Sequence, residues 1–208
     1  GPPGAGKTLL ARCLPSILPE LEEAEQLAVT AIQSIAGQLS PGSGLVRNRP
    51  FRAPHHSVTS AAMIGGQAVP RPGEVTLAHG GVLFLDELPE FRREVIEALR
   101  EPLESGEVAL SRSGRRAVFP ADFSLVAAMN PCPCGYMGDR EHPCVCDPAV
   151  LRRYRGRVSG PVLDRIDLHL MLARPSLQAL RAASGEEPSG RIRMRSEEHT
   201  SELQSRQY

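Results

Sequence analysis

Gly1-Pro2-Pro3-Gly4-Ala5-Gly6-Lys7-Thr8 is the stretch from which the rest of the chain is read. It fills every position of the phosphate-binding loop pattern G-x-x-x-x-G-K-[ST]. Glycines at these positions let the backbone turn its N–H groups inward around phosphate oxygens, and the start of the next helix adds the positive end of its dipole. A lysine placed like Lys7 reaches the β- and γ-phosphates, and a hydroxyl placed like Thr8 binds magnesium. All eight residues, Gly1 to Thr8, are therefore candidate ATP contacts, with Thr8 also a candidate magnesium ligand. Lys7 is the only lysine; the remaining basic residues are arginines. The motif is already under way at residue 1, and the strand that precedes such a loop is not in the chain, so the natural start is expected upstream.

Outward from the loop, two strand ends complete a hydrolysis set. Val82-Leu83-Phe84-Leu85 is apolar without alternation, which predicts a strand buried on both faces of a parallel sheet. It ends in Asp86-Glu87, about 75 residues after the loop. Asp86 suits a magnesium ligand, and Glu87 suits the base that orients and deprotonates water. Phe123 to Met129 predicts a second buried strand. It ends at Asn130, which either positions the attacking water or is a plain turn residue. Arg165, in Leu163-Asp164-Arg165-Ile166-Asp167, is either an arginine finger or an ion-pair partner of Asp164 or Asp167.

Helical spacing of apolar residues predicts helices over Thr8–Leu18, Leu21–Ala36 and Arg92–Glu104, and a basic helix near Leu151–Arg157. Residues 37–81 are rich in Gly, Pro, Ser and His. That is too long for a plain connection, so a small inserted hairpin or helix is expected there. Val108–Leu110 and Ala117–Phe119 flank Ser111-Arg112-Ser113-Gly114-Arg115-Arg116, which reads as a hairpin with a basic tip. Strands alternating with helices indicate an α/β sheet.

Of the five cysteines, Cys13 lies on an apolar stretch and is expected in the core. Cys132-x-Cys134 and Cys144-x-Cys146, nine residues apart, are candidate zinc ligands; free thiols or redox chemistry are the alternatives. As a structural staple the cluster is expected to lie far from Lys7. His142 is a spare ligand or a loop residue. His55-His56 has no ligand-like spacing and is expected to be structural or a subunit contact. Arg112, Arg115 and Arg116, with Arg152, Arg153, Arg155 and Arg157, either meet DNA phosphates or form a solvated face. The charge totals, 24 basic against 24 acidic, do not decide between these. No apolar run approaches the ~20 residues that span a bilayer, so no membrane partner is expected and a cytoplasmic location is. Residues 196–208 lose apolar periodicity and resemble a translated sequencing adapter; they are read as a non-native tail.

These residues resemble the magnesium-chelatase-type AAA+ ATPases, and within them the bacterial ComM group of competence and recombination proteins. The resemblance is carried by the phosphate loop, Phe51-Arg52-Ala53-Pro54-His55-His56-Ser57, Arg71-Pro72-Gly73-Glu74, residues 81–91, Asn130-Pro131-Cys132-Pro133-Cys134-Gly135 and residues 159–167. It implies a P-loop NTPase fold of the AAA+ type: a parallel central sheet flanked by helices, with a helix-2 insert and a pre-sensor hairpin. It also implies a hexameric ring with ATP between subunits, Arg165 acting on the neighbour's ATP and Asn130 as the sensor. The expected organisation is an ATPase core over 1–175 with the cysteine loop, 132–146, inside it. Residues 176–195 would begin a lid or linker, most of the helical lid being absent, as is the family's N-terminal domain. The activity implied is an ATP-driven motor on DNA, in recombination or natural transformation, with branch-migration helicase activity in the whole protein. Metal insertion into a tetrapyrrole and a non-enzymatic zinc-stapled nucleic-acid module are the alternatives.

Overall fold

The apolar run Val82–Leu85 is a strand with all four side chains buried. The computed structural model describes residues 1–66, 70–112, 115–139, 142–175 and 187–205. Along the chain come α1 (Lys7–Cys13), α2 (Glu23–Ile35), β1 (Phe51–Arg52), α3 (Ser60–Ile64), α4 (Glu74–Leu77), β2 (Val82–Leu85), α5 (Arg93–Ala98) and α6 (Arg100–Ser105). They are followed by β3 (Glu107–Arg112), β4 (Arg115–Pro120), β5 (Ser124–Ala127), α7 (Pro148–Arg155), α8 (Gly160–Leu163) and α9 (Ser189–Ser205).

β1, β2 and β5 form a parallel sheet with β2 in the middle. The absence of alternation in β2 follows from its two covered faces. Leu83 and Leu85 enter a cluster with Met63, Val75, Val95, Leu99, Val108 and Val162. Phe84 belongs to a second cluster, with Ala11 of α1 and Ala128. Each such side chain contributes about 1.5–3 kcal/mol by leaving water, and truncating Phe84 to alanine would cost about 3–5 kcal/mol. β3 and β4 pair as a separate antiparallel ribbon with Val108 opposite Phe119, the expected hairpin. Ser113-Gly114 at its tip, and the side chains of Arg112 and Arg115, lie outside the described residues.

Several expectations change in detail. The first helix stops at Cys13 and a 3-10 turn, Leu14–Ser16, follows. Pro15 has no N–H to give to a continuing helix. Cys13 is exposed rather than in the core, because α1 buries only Ala11. The single helix expected over Arg92–Glu104 is two, divided at Leu99. Pro102 cannot donate to residue 98, but it is tolerated in the first turn of α6. In residues 37–81 the chain forms β1, α3 and α4, with a bridge between Gly65 and Pro72. The insert was expected, but β1 was not, since two residues carry no readable period. Residues 176–186 lie outside the described residues. α9 runs across position 195, and the Arg193 guanidinium donates to the Ser16 carbonyl at 2.8 Å.

Candidate nucleotide site

The phosphate loop owes its shape to Gly4 and Gly6, at φ 76° and 74°, where a side chain would be strained. The Gly1 terminal nitrogen donates to the Met129 carbonyl at 3.2 Å, which seats the loop just past the end of β5. The parallel pairing of β2 with β5 then brings Asp86, Glu87 and Asn130 to the same edge.

Two side-chain links join the motif pieces. The Lys7 ammonium donates to Asn130 Oδ1 at 3.0 Å and to the carbonyls of Gly1 and Pro2 at 2.9 Å each. Burial pulls the Lys7 pKa below its ordinary value, opposed by the carboxylates of Asp86 and Glu87. The Thr8 hydroxyl donates to Asp86 Oδ2 at 2.5 Å, so the two expected magnesium ligands meet at one point. Both are hard oxygen donors, the donor type that magnesium prefers, so they fit that ion.

Glu87 has φ 54°, and it is the one non-glycine with positive φ among the described residues. Such a conformation costs of order 1–3 kcal/mol and persists where the surroundings enforce it. Here the Leu88 amide donates to the Ala128 carbonyl at 2.9 Å, the Glu90 amide to the Glu87 carbonyl at 2.7 Å, and the Glu87 amide to Asp86 Oδ1 at 2.9 Å. The turn leaves the Glu87 side chain more than half exposed, with His56 Nδ1 3.5 Å from its Oε2. His56 in turn meets the Phe91 ring edge-on and lies against His55. Sequence reasoning missed this contact. The dipeptide His55-His56 gave no metal spacing, and only the fold brings it to Glu87. The motifs around Arg52 and Glu74 also converge, in a two-point ion pair at 2.7 and 2.9 Å.

Arg165 pairs with neither Asp164 nor Asp167. It pairs with Glu104 of α6 and donates to the Pro161 carbonyl at 2.6 Å. Of the basic residues after the cysteines, Arg157 is held by Glu90 at 2.8 Å, while Arg152 and Arg153 are exposed.

The four paired cysteines come together, all Sγ atoms lying within 4.8 Å of one another. Cys134 is lowered to about 6, chiefly by the Tyr136 backbone N–H. His142 stays outside this group, stacked on Tyr136 and 3.6 Å from Asp139. The cluster is not far from the nucleotide site. Gly135 sits so close to Pro3 that a methyl group on it would fall 2.5–2.6 Å from the proline ring carbons. Tyr154 of α7 donates to the Asn130 carbonyl at 3.3 Å. No helix among the described residues is long and apolar enough to cross a membrane.

The protein family described as magnesium chelatase, subunit ChlI, matches residues 1–180. The chain belongs to this family. This member of the magnesium chelatase family is 52% identical over 176 residues to YifB of Escherichia coli K12, covering 84% of the chain and 34% of YifB. It is 49% identical over 182 residues to the competence protein ComM of Haemophilus influenzae Rd, covering 86% of the chain and 35% of ComM. The chain thus spans about a third of the length of these curated relatives. The complex between subunits BchI and BchD of magnesium chelatase aligns with a TM-score of 0.57 at 18% identity, over 99% of this chain and 64% of that one. The α/β fold with a parallel sheet is that of the AAA+ ATPases.

Proposed function

We propose that the chain is the ATP-hydrolysing core of a ring-forming AAA+ motor that acts on DNA in the cytoplasm. The observation that carries the ATPase reading is the pair of links Lys7–Asn130 and Thr8–Asp86, which gather motifs 78 and 123 residues apart at one edge of the parallel sheet. Lys7 and the backbone of residues 1–8 would hold the phosphates, and Thr8 with Asp86 would hold magnesium, whose charge offsets that of the phosphate oxygens. Glu87, outside this knot and open to solvent, would orient a water and take its proton. Asn130 would fix that water against the γ-phosphate. Arg165 would serve the ATP of a neighbouring copy in a homo-hexamer.

The DNA half rests on likeness to a competence protein at 49% identity, together with exposed arginines Arg116, Arg152 and Arg153. Arg112 and Arg115 belong by sequence to the same hairpin as Arg116 and are proposed DNA contacts with it. Branch-migration helicase activity is the form we propose for the whole protein.

The test is ATP hydrolysis by the intact protein, with no DNA and with single-stranded, duplex and branched DNA at low and moderate salt. Stimulation of several-fold that falls as salt rises supports the reading. Hydrolysis indifferent to every DNA would sink the DNA half and turn attention to metal insertion. Absence of hydrolysis would sink the ATPase reading itself.

A further inference from the structure

The cysteine segment has no core of its own. Between Pro131 and Cys146 it carries Pro131, Pro133, Gly135, Gly138 and Pro143, and of its cysteines only Cys132 is buried. Ordering such a loop costs about 1–2 kcal/mol per residue in backbone entropy, and apolar burial here does not offset it. Yet the loop is placed closely, with Gly135 at φ 84° against Pro3.

The sulfur geometry identifies what could hold it. Cys132 Sγ lies 3.3 Å from Cys134 Sγ and 3.6 Å from Cys144 Sγ, and Cys134 Sγ lies 3.7 Å from Cys144 Sγ. A tetrahedron of sulfurs around zinc, with Zn–S near ~2.3 Å, has edges of about 3.8 Å. A disulfide would need about 2.05 Å. Backbone N–H groups point at sulfur as well: besides that of Tyr136 at Cys134, Cys134 donates to Cys146 Sγ at 3.4 Å and Met137 to Cys132 Sγ at 3.3 Å. Amides aimed at sulfur stabilise thiolates, and such outer bonds orient the ligands of a metal. Soft thiolates in a closed set of four select zinc, with no position left open for chemistry.

We propose that Cys132, Cys134, Cys144 and Cys146 bind one Zn2+ ion as thiolates, and that this staple backs the phosphate loop through Gly135 and Pro3. Four thiols give up four protons on binding, leaving a site of charge −2. The metal half stands by itself; the backing half rests on the nucleotide reading above. The staple lies between two working parts: Asn130 immediately precedes it, and α7, whose Tyr154 bonds the Asn130 carbonyl, follows it.

Native mass spectrometry and elemental analysis of the intact protein, purified without added zinc, decide the metal half without any mutation. About one zinc per chain is expected. Cobalt exchanged for zinc should give the intense visible bands of a tetrahedral tetrathiolate site. Cys144→Ser should lose most of the metal, while His142→Ala, altered outside the cluster, should keep it. Four freely titrating thiols with no metal, a disulfide, or iron in zinc's place would overturn it. Gly135→Ala tests the backing half, because its methyl group meets the Pro3 ring while all four cysteines are kept, and its metal content shows whether the strained position has disturbed the staple. It should keep its zinc and bind ATP several-fold more weakly. Unchanged ATP affinity in this variant would overturn the backing, whatever the metal content.

Discussion

The phosphate-loop edge and the α6–α8 edge treat their charged residues in opposite ways. At the first, Lys7, Thr8, Asp86 and Asn130 bind one another, so that four residues from three distant parts of the sequence form one knot. At the second, Arg165 is tied to Glu104 and to the Pro161 carbonyl of the preceding helix, α8, with no bond to that knot. The difference is the one expected if, as proposed above, the site is completed by a neighbouring subunit. Groups that grip phosphate and magnesium can be pre-assembled within a chain. A group that would serve the next chain's nucleotide has no partner of that kind within its own chain, and here Arg165 rests on Glu104.

That comparison breaks most sharply at Arg165. If it acts on a neighbour's ATP, Arg165→Ala should leave ATP binding largely intact and lower turnover by about 10³–10⁵-fold. If it only anchors α8 to α6, the change should cost stability and little turnover. An exposed pair of this kind is worth about 0–1 kcal/mol. Mixing Arg165→Ala subunits with Glu87→Gln subunits in the intact protein separates the two further. Each mixed ring contains interfaces with both normal residues, so hydrolysis should partly return. Verified mixed rings with no recovery would place the action of Arg165 elsewhere.

Beside the knot, Glu87→Gln should retain ATP and lose about 10²–10⁴-fold in turnover, since an amide cannot accept the proton of water. Normal turnover in this variant would remove Glu87 as the base. Lys7→Ala should weaken ATP binding by about 100-fold or more, the loss of two charge-assisted bonds of about 1.5–3 kcal/mol each. A folded Lys7→Ala protein with undiminished affinity, measured by calorimetry, would mean that the loop does not hold phosphate.

How much of this was open to sequence reasoning depends on range. Val82–Leu85 could be read as a doubly covered strand because all four of its residues are apolar. The phosphate loop could be read because its glycines and Lys7 are contiguous. Asn130 and Asp86 needed only the order of motifs. The break at Leu99 was less visible, although Pro102 announces it, since the apolar spacing runs straight through. β1 is too short to show a period. The cysteine pairs declared themselves by spacing, but their seat on Pro3 did not, because it depends on how β5 delivers the chain to the phosphate loop. The exposure of Cys13 was misjudged for a related reason: apolar neighbours in sequence do not show which face of α1 the sheet covers.

The smallest effect is expected where the sequence was most silent, at His56. Its imidazole lies 3.5 Å from Glu87 Oε2, on a residue already held in a left-handed turn, so it can fix the direction of the carboxylate without touching nucleotide. It would therefore act as a positioning residue. Both side chains are substantially exposed, and a pair of this kind contributes at most about 1 kcal/mol, or about fivefold in rate. His56→Gln should accordingly lower kcat by up to about fivefold and leave KM for ATP unchanged. In Glu87→Gln, which has no carboxylate to hold, the same change at position 56 should add nothing further. A loss in KM instead, or an additive loss in the double variant, would show that His56 acts through packing on Phe91 and not through Glu87.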